Sequence, residues 1–271
     1  MRNQNGTTLF EMLAVLVPAT MLALGATSFF SAQNRAHLQQ DQLVAMENNL
    51  RAAMGIVSDT VRSAGCGTPD SNLDAWISWA SGFTDRPIHL ASNGTYGDTI
   101  SIVACTPLPV ARTTNFAAAG STEISVDSEY STLSVAALFN SSDKSLVLIG
   151  DTQHAVVTSV SGANLSIDTD PTTPGNQGPP RAFLAGTPIT RIDVTVFTVA
   201  STTIDPLPGL LIDKYRGAPL RAAEGIVQLR LSSVAAGRHY RLAVTARAER
   251  RDPGTGQFPT RTLVSDIHLR N

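Results

Sequence analysis

Glu11 is the first residue of this chain whose type and position together suggest chemistry. It stands five residues past Gly6, and from Met12 to Asn34 no charged residue follows it. A carboxylate at the head of an apolar run of spanning length is costly. Acidic side chains inside membrane-crossing segments cost on the order of 2.5–3.5 kcal/mol on insertion scales, and they mark function by default. In such a place the carboxylate can act as partner to a cation. A chain that needed only an anchor would gain by losing it.

The two cysteines, Cys66 and Cys105, are the next candidates. Their number suits an exported protein with one disulfide, and it suits two buried free thiols as well. A bridge would close a loop of about 40 residues and stabilise the fold by up to ~4 kcal/mol on chain-entropy reasoning. Ser141-Ser142-Asp143-Lys144 matches a Ser-x-x-Lys string. It falls in an expected turn, with no Ser-Asp-Asn or Lys-Thr-Gly to complete a hydrolase site. Asp168 and Asp170, joined by Asp151 from another loop, could offer oxygens to calcium. A calcium loop needs six or more oxygens, and no nearby glutamate supplies the rest. His37, His89, His154, His239 and His268 show no zinc-ligand spacing among themselves or with the cysteines. No enzyme site, metal site or cofactor site is predicted.

The last third is locally basic. Lys214, Arg216, Arg221, Arg230, Arg238, Arg241, Arg247, Arg250 and Arg251 outnumber Glu224 and Glu249 there. Phosphate contact is one reading and a solvated sheet face the other. Only Tyr215 and Tyr240 lie among these residues as stacking platforms, which favours the solvated face. The formal net charge of −2 gives no global argument for nucleic acid as a partner.

These residues need elements to hold them. Leu9 to Phe30 predicts a membrane helix, with Pro18 inside it. Arg2 and the initiator amine place the small positive bias on the leader side, so the N-terminus is expected in the cytoplasm. From Arg35 the pattern turns amphipathic. Leu43, Met46, Leu50, Ala53 or Met54, Val57 and Val61 recur at three–four spacing. One helix from Leu9 to about Ala64, capped by Gly65, would be roughly 80–85 Å long. The alternative is an anchor plus a separate amphipathic helix joined near Ser31-Ala32-Gln33-Asn34. An ordinary secretory signal ending near Ala23-Leu24-Gly25, a plain one-pass anchor and a buried soluble helix are further readings of the N-terminus. Glu11 inside the apolar region, and apolar character as far as Phe29-Phe30, argue against the secretory signal.

Beyond Cys66 alternating β-favouring runs take over: Thr99–Cys105, Thr122–Asp127, Leu133–Phe139, Leu146–Gly150, Ala155–Val160 and Asn164–Asp168. Asp170–Pro180 reads as a loop. Longer strands follow at Thr190–Val199, Gly209–Tyr215, Gly225–Ser232, His239–Arg247 and Leu263–Leu269. The expected class is α+β, a long N-terminal helix packed on a C-terminal antiparallel sheet with a β-rich insert. The expected divisions are a leader at 1–6, a helix at 7–65, a β-rich insert at 66–189 and a C-terminal sheet at 190–271. Within the helix, the span covers about 9–30 and the amphipathic part 35–64.

Gly6, the hydroxylated Thr7-Thr8, Glu11 and the apolar run behind them resemble the signal of type IV prepilins and pseudopilins. The resemblance implies cleavage between Gly6 and Thr7 by a prepilin peptidase on the cytoplasmic side, methylation of the new Thr7 amine, and pairing of Glu11 with the terminal amine of a neighbouring subunit. Thr7 stands where most members carry Phe or Met, and Pro18 lies earlier than the family's usual proline. Leu50 to Cys66, Gly225–Leu231 and Ser265–Asn271 are similar to the helix exit and C-terminal sheet of PilW-type minor pilins. Membership implies a non-enzymatic assembly subunit of a type IV pilus. Its expected partners are other minor pilins, the major pilin, the prepilin peptidase, inner-membrane lipid and the assembly platform. The expected location is a single pass through the inner membrane of a Gram-negative bacterium with a periplasmic head, and the filament after assembly. A J-type minor pseudopilin of a type II secretion system shares these features, and a tip adhesin or DNA-binding subunit is a further alternative.

Overall fold

Helix α1 runs unbroken from Leu9 to Arg62 in the computed structural model, which describes residues 9–69, 73–77, 83, 86–129, 133–139, 145–201, 207–214, 218–235, 238–252 and 255–269. At 1.5 Å per residue it is about 80 Å long. The helix passes through Pro18 without interruption, and no second helix begins near Ser31–Asn34. Its two halves have opposite surroundings. From Glu11 to Leu38 every side chain is exposed. In the second half Met46, Leu50, Ala53, Val57 and Val61 are buried on one stripe, and Ala64 just past the helix end is buried with them. Arg62 in the last turn pairs with Asp59 and complements the carbonyl end of the helix dipole. Gly65 adopts φ 82°, the left-handed turn expected of a C-terminal cap. Its N–H then donates to the Val103 carbonyl, and Ala64 bridges Ala104.

The stripe packs against two sheets. One is a three-stranded antiparallel sheet of β11 (Ile226–Ala235), β12 (His239–Arg247) and β13 (Thr260–His268). Its inward residues Leu229, Leu231, Leu242, Val244 and Ile267 share one core with the helix. Alternation does this: along β12, Tyr240, Leu242, Val244 and Ala246 are buried and the residues between them are not. Arg261 of β13 forms an ion pair with Glu47 of the helix, and Glu47 also faces Arg51 at 3.5 Å.

The second sheet is larger. Its strands are β1 (Ile88–Ser92), β2 (Asp98–Cys105), β3 (Ala111–Thr113), β4 (Glu123–Ser128), β5 (Leu146–Ile149), β6 (Gln153–Ser161), β7 (Asn164–Asp168), β8 (Pro188–Ala200), β9 (Gly209–Asp213) and β10 (Leu220–Glu224). Pairing runs β8-β3-β4-β7-β6-β5 and returns from β5 to β8, so six strands close into a small barrel. Closure removes the free edges of those strands. Val126, Val147, Ile149, Val157, Leu165 and Ile167 fill the interior.

β8 joins the barrel to the spine. Ile189 pairs with Ile149 of β5 on one side and Ala111 of β3 on the other. From Ile192 onward β8 pairs with β2, and from Val196 with β9. Phe197 and Val199 therefore sit in the helix core while Ile189 sits in the barrel core. A division of the head at residue 189 falls inside this strand. β1 and β2, from the segment 66–189, belong to the part of the sheet that packs on the helix.

Leu133–Phe139 is not a strand. A short helix, α3 (Val135–Leu138), replaces it, because Ser134 accepts a hydrogen bond from the Ala137 N–H and caps a turn. Val135, Leu138 and Phe139 close onto the barrel core. A second short helix, α2 (Leu73–Trp76), covers the outer face of β2 and β8 through Leu73.

Candidate functional site

The helix builds the first part of the site. Glu11 occupies its first turn and is exposed. The apolar side chains that follow it, Met12, Leu16, Leu22, Leu24 and Phe29 among them, are exposed on all sides. Polar groups inside this stretch are satisfied within the helix. Thr20 donates to the Val17 carbonyl at 2.8 Å, Thr27 to Leu24 at 3.0 Å and Ser28 to Gly25 at 2.9 Å. That is the arrangement hydrocarbon demands, since no water is there to bond them. Among the described residues this is the one helix long and apolar enough to cross a membrane. Gly6 and Thr7 lie outside the described residues, and so do Ser141, Ser142, Asp143 and Lys144.

The second part is the helix exit. Cys66 and Cys105 are joined in a disulfide with their Cα atoms 5.3 Å apart. Cys105 is the last residue of β2, so the bridge fixes the end of the spine to the sheet beside it. His154 Nε2 lies 2.8 Å from the Gly67 carbonyl oxygen, which fastens the next turn to β6. Gly67 has φ 65° and packs against Leu148 and Cys105, so a side chain there would be strained as well as crowded.

Asp168 and Asp170 are engaged by donors of their own loop. Asp168 accepts the N–H groups of Asp170 and Gln177. Asp170 accepts from Thr172 N–H at 3.1 Å, from the Thr172 hydroxyl and from the Thr173 hydroxyl at 2.7 Å. The two threonine hydroxyls, Thr172 first, hold its carboxyl below the ordinary range. Both carboxylates thus serve donors that fold the 168–177 loop. No group of three His, Cys, Asp or Glu residues suited to a metal exists among the described residues.

Arg230, Arg241 and Arg247 lie on the outward face of the three-stranded sheet, and several basic residues of the last third have partners within the head. Arg241 pairs with Asp266 across β12 and β13. Arg221 donates to the Leu207 carbonyl. Arg247 and Arg251 stack on Phe258, with guanidinium carbons 4.4 and 5.1 Å from the ring centre. Arg216 lies outside the described residues.

Two relationships escaped the reading of the sequence. Arg191 donates to both oxygens of Asp193, each at 2.7 Å, and to the Leu138 carbonyl at 3.1 Å. This half-buried pair ties α3 to β8 next to where the strand leaves the barrel. Its signal was present, because residues two apart on a strand share a face. The Glu47–Arg261 contact had no local signal: its halves meet only after the sheet has formed. No family model, characterised protein or solved structure matches the chain.

Proposed function

We propose that this chain is a minor pilin, a non-enzymatic subunit that helps initiate or cap a type IV pilus. One observation carries the reading: a single 54-residue helix is bare and apolar in its first half, with Glu11 in its first turn, and buried against a β-rich head in its second half. Such a helix can sit in a bilayer or in the apolar centre of a helical filament without changing its fold. In a filament the exposed half packs among its counterparts. Glu11 sets register by pairing with the methylated Thr7 amine of a neighbour, after the peptidase has cut behind Gly6. The charge pair gains strength in that low-dielectric setting, while desolvation takes back part of the gain. The head, held outside the membrane, meets other minor pilins and the major pilin. A J-type pseudopilin of a type II secretion system uses the same helix and signal. Sheared, purified surface filaments test the reading. The protein should be present there at low copy number relative to the major subunit, and absence from every filament fraction of a piliated strain would contradict it.

A further inference from the structure

The head begins to cover α1 at Gln39, the first side chain after Glu11 that is not exposed. What covers it is the loop between β12 and β13. A groove of about 110 Å³ is lined there by Gln39, Gln42 and Leu43 of the helix and by Arg250, Arg251 and Pro259 of the loop. Arg250 and Arg251 are exposed. Phe258 lies beside Arg247 and Arg251, and Arg251 also donates to the Gly256 carbonyl at 3.4 Å.

From Phe30, where the apolar stretch ends, to Gln39 the helix axis rises about 14 Å. The polar layer outside the hydrocarbon is about 5–8 Å deep on each side. An ordinary helix tilt of about 20° lowers one side of the head. A long arginine stem reaches further down while keeping its charge in the polar layer.

We infer that the β12–β13 loop rests on the outer surface of the membrane that α1 crosses, with Arg250 and Arg251 bonded to phospholipid phosphates. This rests on the reading of α1 as a membrane span. Arg35, exposed on the helix between Phe30 and Gln39, faces the same layer. Asp41, Glu249 and Asp252 carry the opposite charge nearby, and the Asp252 N–H closes the loop onto the Gln257 carbonyl. The contact is therefore made by guanidinium hydrogen bonds to individual phosphates and not by a net positive field. Held in this way, the head keeps one orientation on the membrane until the helix is withdrawn, and the arginines are then released.

The test places the full chain in phospholipid nanodiscs and in maltoside micelles, which carry no phosphate. Amide hydrogen exchange is followed over residues 248–259. Exchange should be slower in nanodiscs on the order of tenfold, the factor a charge-assisted hydrogen bond supplies. Inorganic phosphate added to the micelles should not reproduce the slowing, and Arg250→Ser/Arg251→Ser should abolish it while β12 stays protected. If the double variant loses protection in β12, Arg250→Ser alone serves, since that side chain is exposed, and it should reduce the slowing. Equal exchange in nanodiscs and micelles, with the chain inserted, overturns the contact and leaves the span standing. Slowing by inorganic phosphate in micelles also overturns the membrane contact. Failure of the chain to enter nanodiscs overturns the span and this inference with it.

Discussion

Cys66, just beyond the last turn of the spine helix, is bonded to Cys105 at the end of β2. The bond closes a loop with a sequence separation of 39 that contains α2, β1 and β2. By limiting the unfolded chain, a bridge of that span stabilises by up to ~4 kcal/mol. Cys66→Ser/Cys105→Ser, extracted in detergent, should unfold at a clearly lower denaturant concentration than wild type. Reductant should lower the wild-type midpoint towards the variant and leave the variant unmoved. Midpoints that coincide without reductant would show that the bridge adds nothing.

The spine is held by its buried stripe. Leu50 is 1% exposed, whereas Leu43 is 42% exposed. Leu50→Ala should destabilise the head by about 3 kcal/mol, through lost burial and the cavity left behind. Leu43→Ala should change stability by about 0.5 kcal/mol or less. Denaturant unfolding followed on the head measures both, and equal losses would mean that the helix packs differently.

These two leucines also show how far the sequence could be read. The spacing Met46–Leu50–Ala53–Val57–Val61 announced a helix with one apolar face, and that face meets the sheet. Leu43 continues the spacing but lies where the head thins to a loop, and periodicity carries no information about where the cover stops. The strands rich in β-favouring residues, β2, β4 to β9 and β11 to β13, stood out, and β1 (Ile88–Ser92), β3 and β10 did not. β3 is only three residues long, and β10 is Leu-Arg-Ala-Ala-Glu, too poor in branched or aromatic residues to signal a strand. Closure of the barrel was invisible, because the pairing of Leu146–Ile149 with Ile189–Ile192 is set by the intervening β6, β7 and their turns. Of the site residues, Glu11 lies on the exposed half of the helix and the cysteines are joined, while Gly6 and Thr7 lie outside the described residues.

Arg241 donates to Asp266 from Nε at 2.8 Å and from Nη2 at 3.3 Å. These bonds hold the Asp266 carboxyl below its ordinary range, and positive charge on Arg241, His239 and His268 acts in the same direction. The folded value lies below the unfolded one, near 3.9. The stabilisation is therefore complete above about pH 5 and is lost as pH falls through the unfolded and then the folded value. Carboxyl-carbon NMR should show Asp266 titrating lower in wild type than in Arg241→Ala. An unchanged midpoint would mean that the pair does not persist in solution.

Glu11 gives the sharpest separation of anchor from assembly residue. Glu11→Ala should ease membrane insertion by up to about 2–3 kcal/mol, so poor incorporation into filaments cannot come from a weaker anchor. Glu11→Gln should fail similarly, since it keeps the shape and loses the charge. Filament number and the content of this subunit, in strains carrying each variant, are the readouts. Normal incorporation of both variants would leave the helix as an anchor alone.

The most direct test is the N-terminal residue of the protein extracted from membranes, read by mass spectrometry. A prepilin-type subunit predicts Thr7 as the first residue, with a methylated amine and no trace of Met1 to Gly6. A chain still beginning at Met1, or one beginning near Ala26, would contradict the pilin reading and return the helix to a plain anchor or a secretory signal.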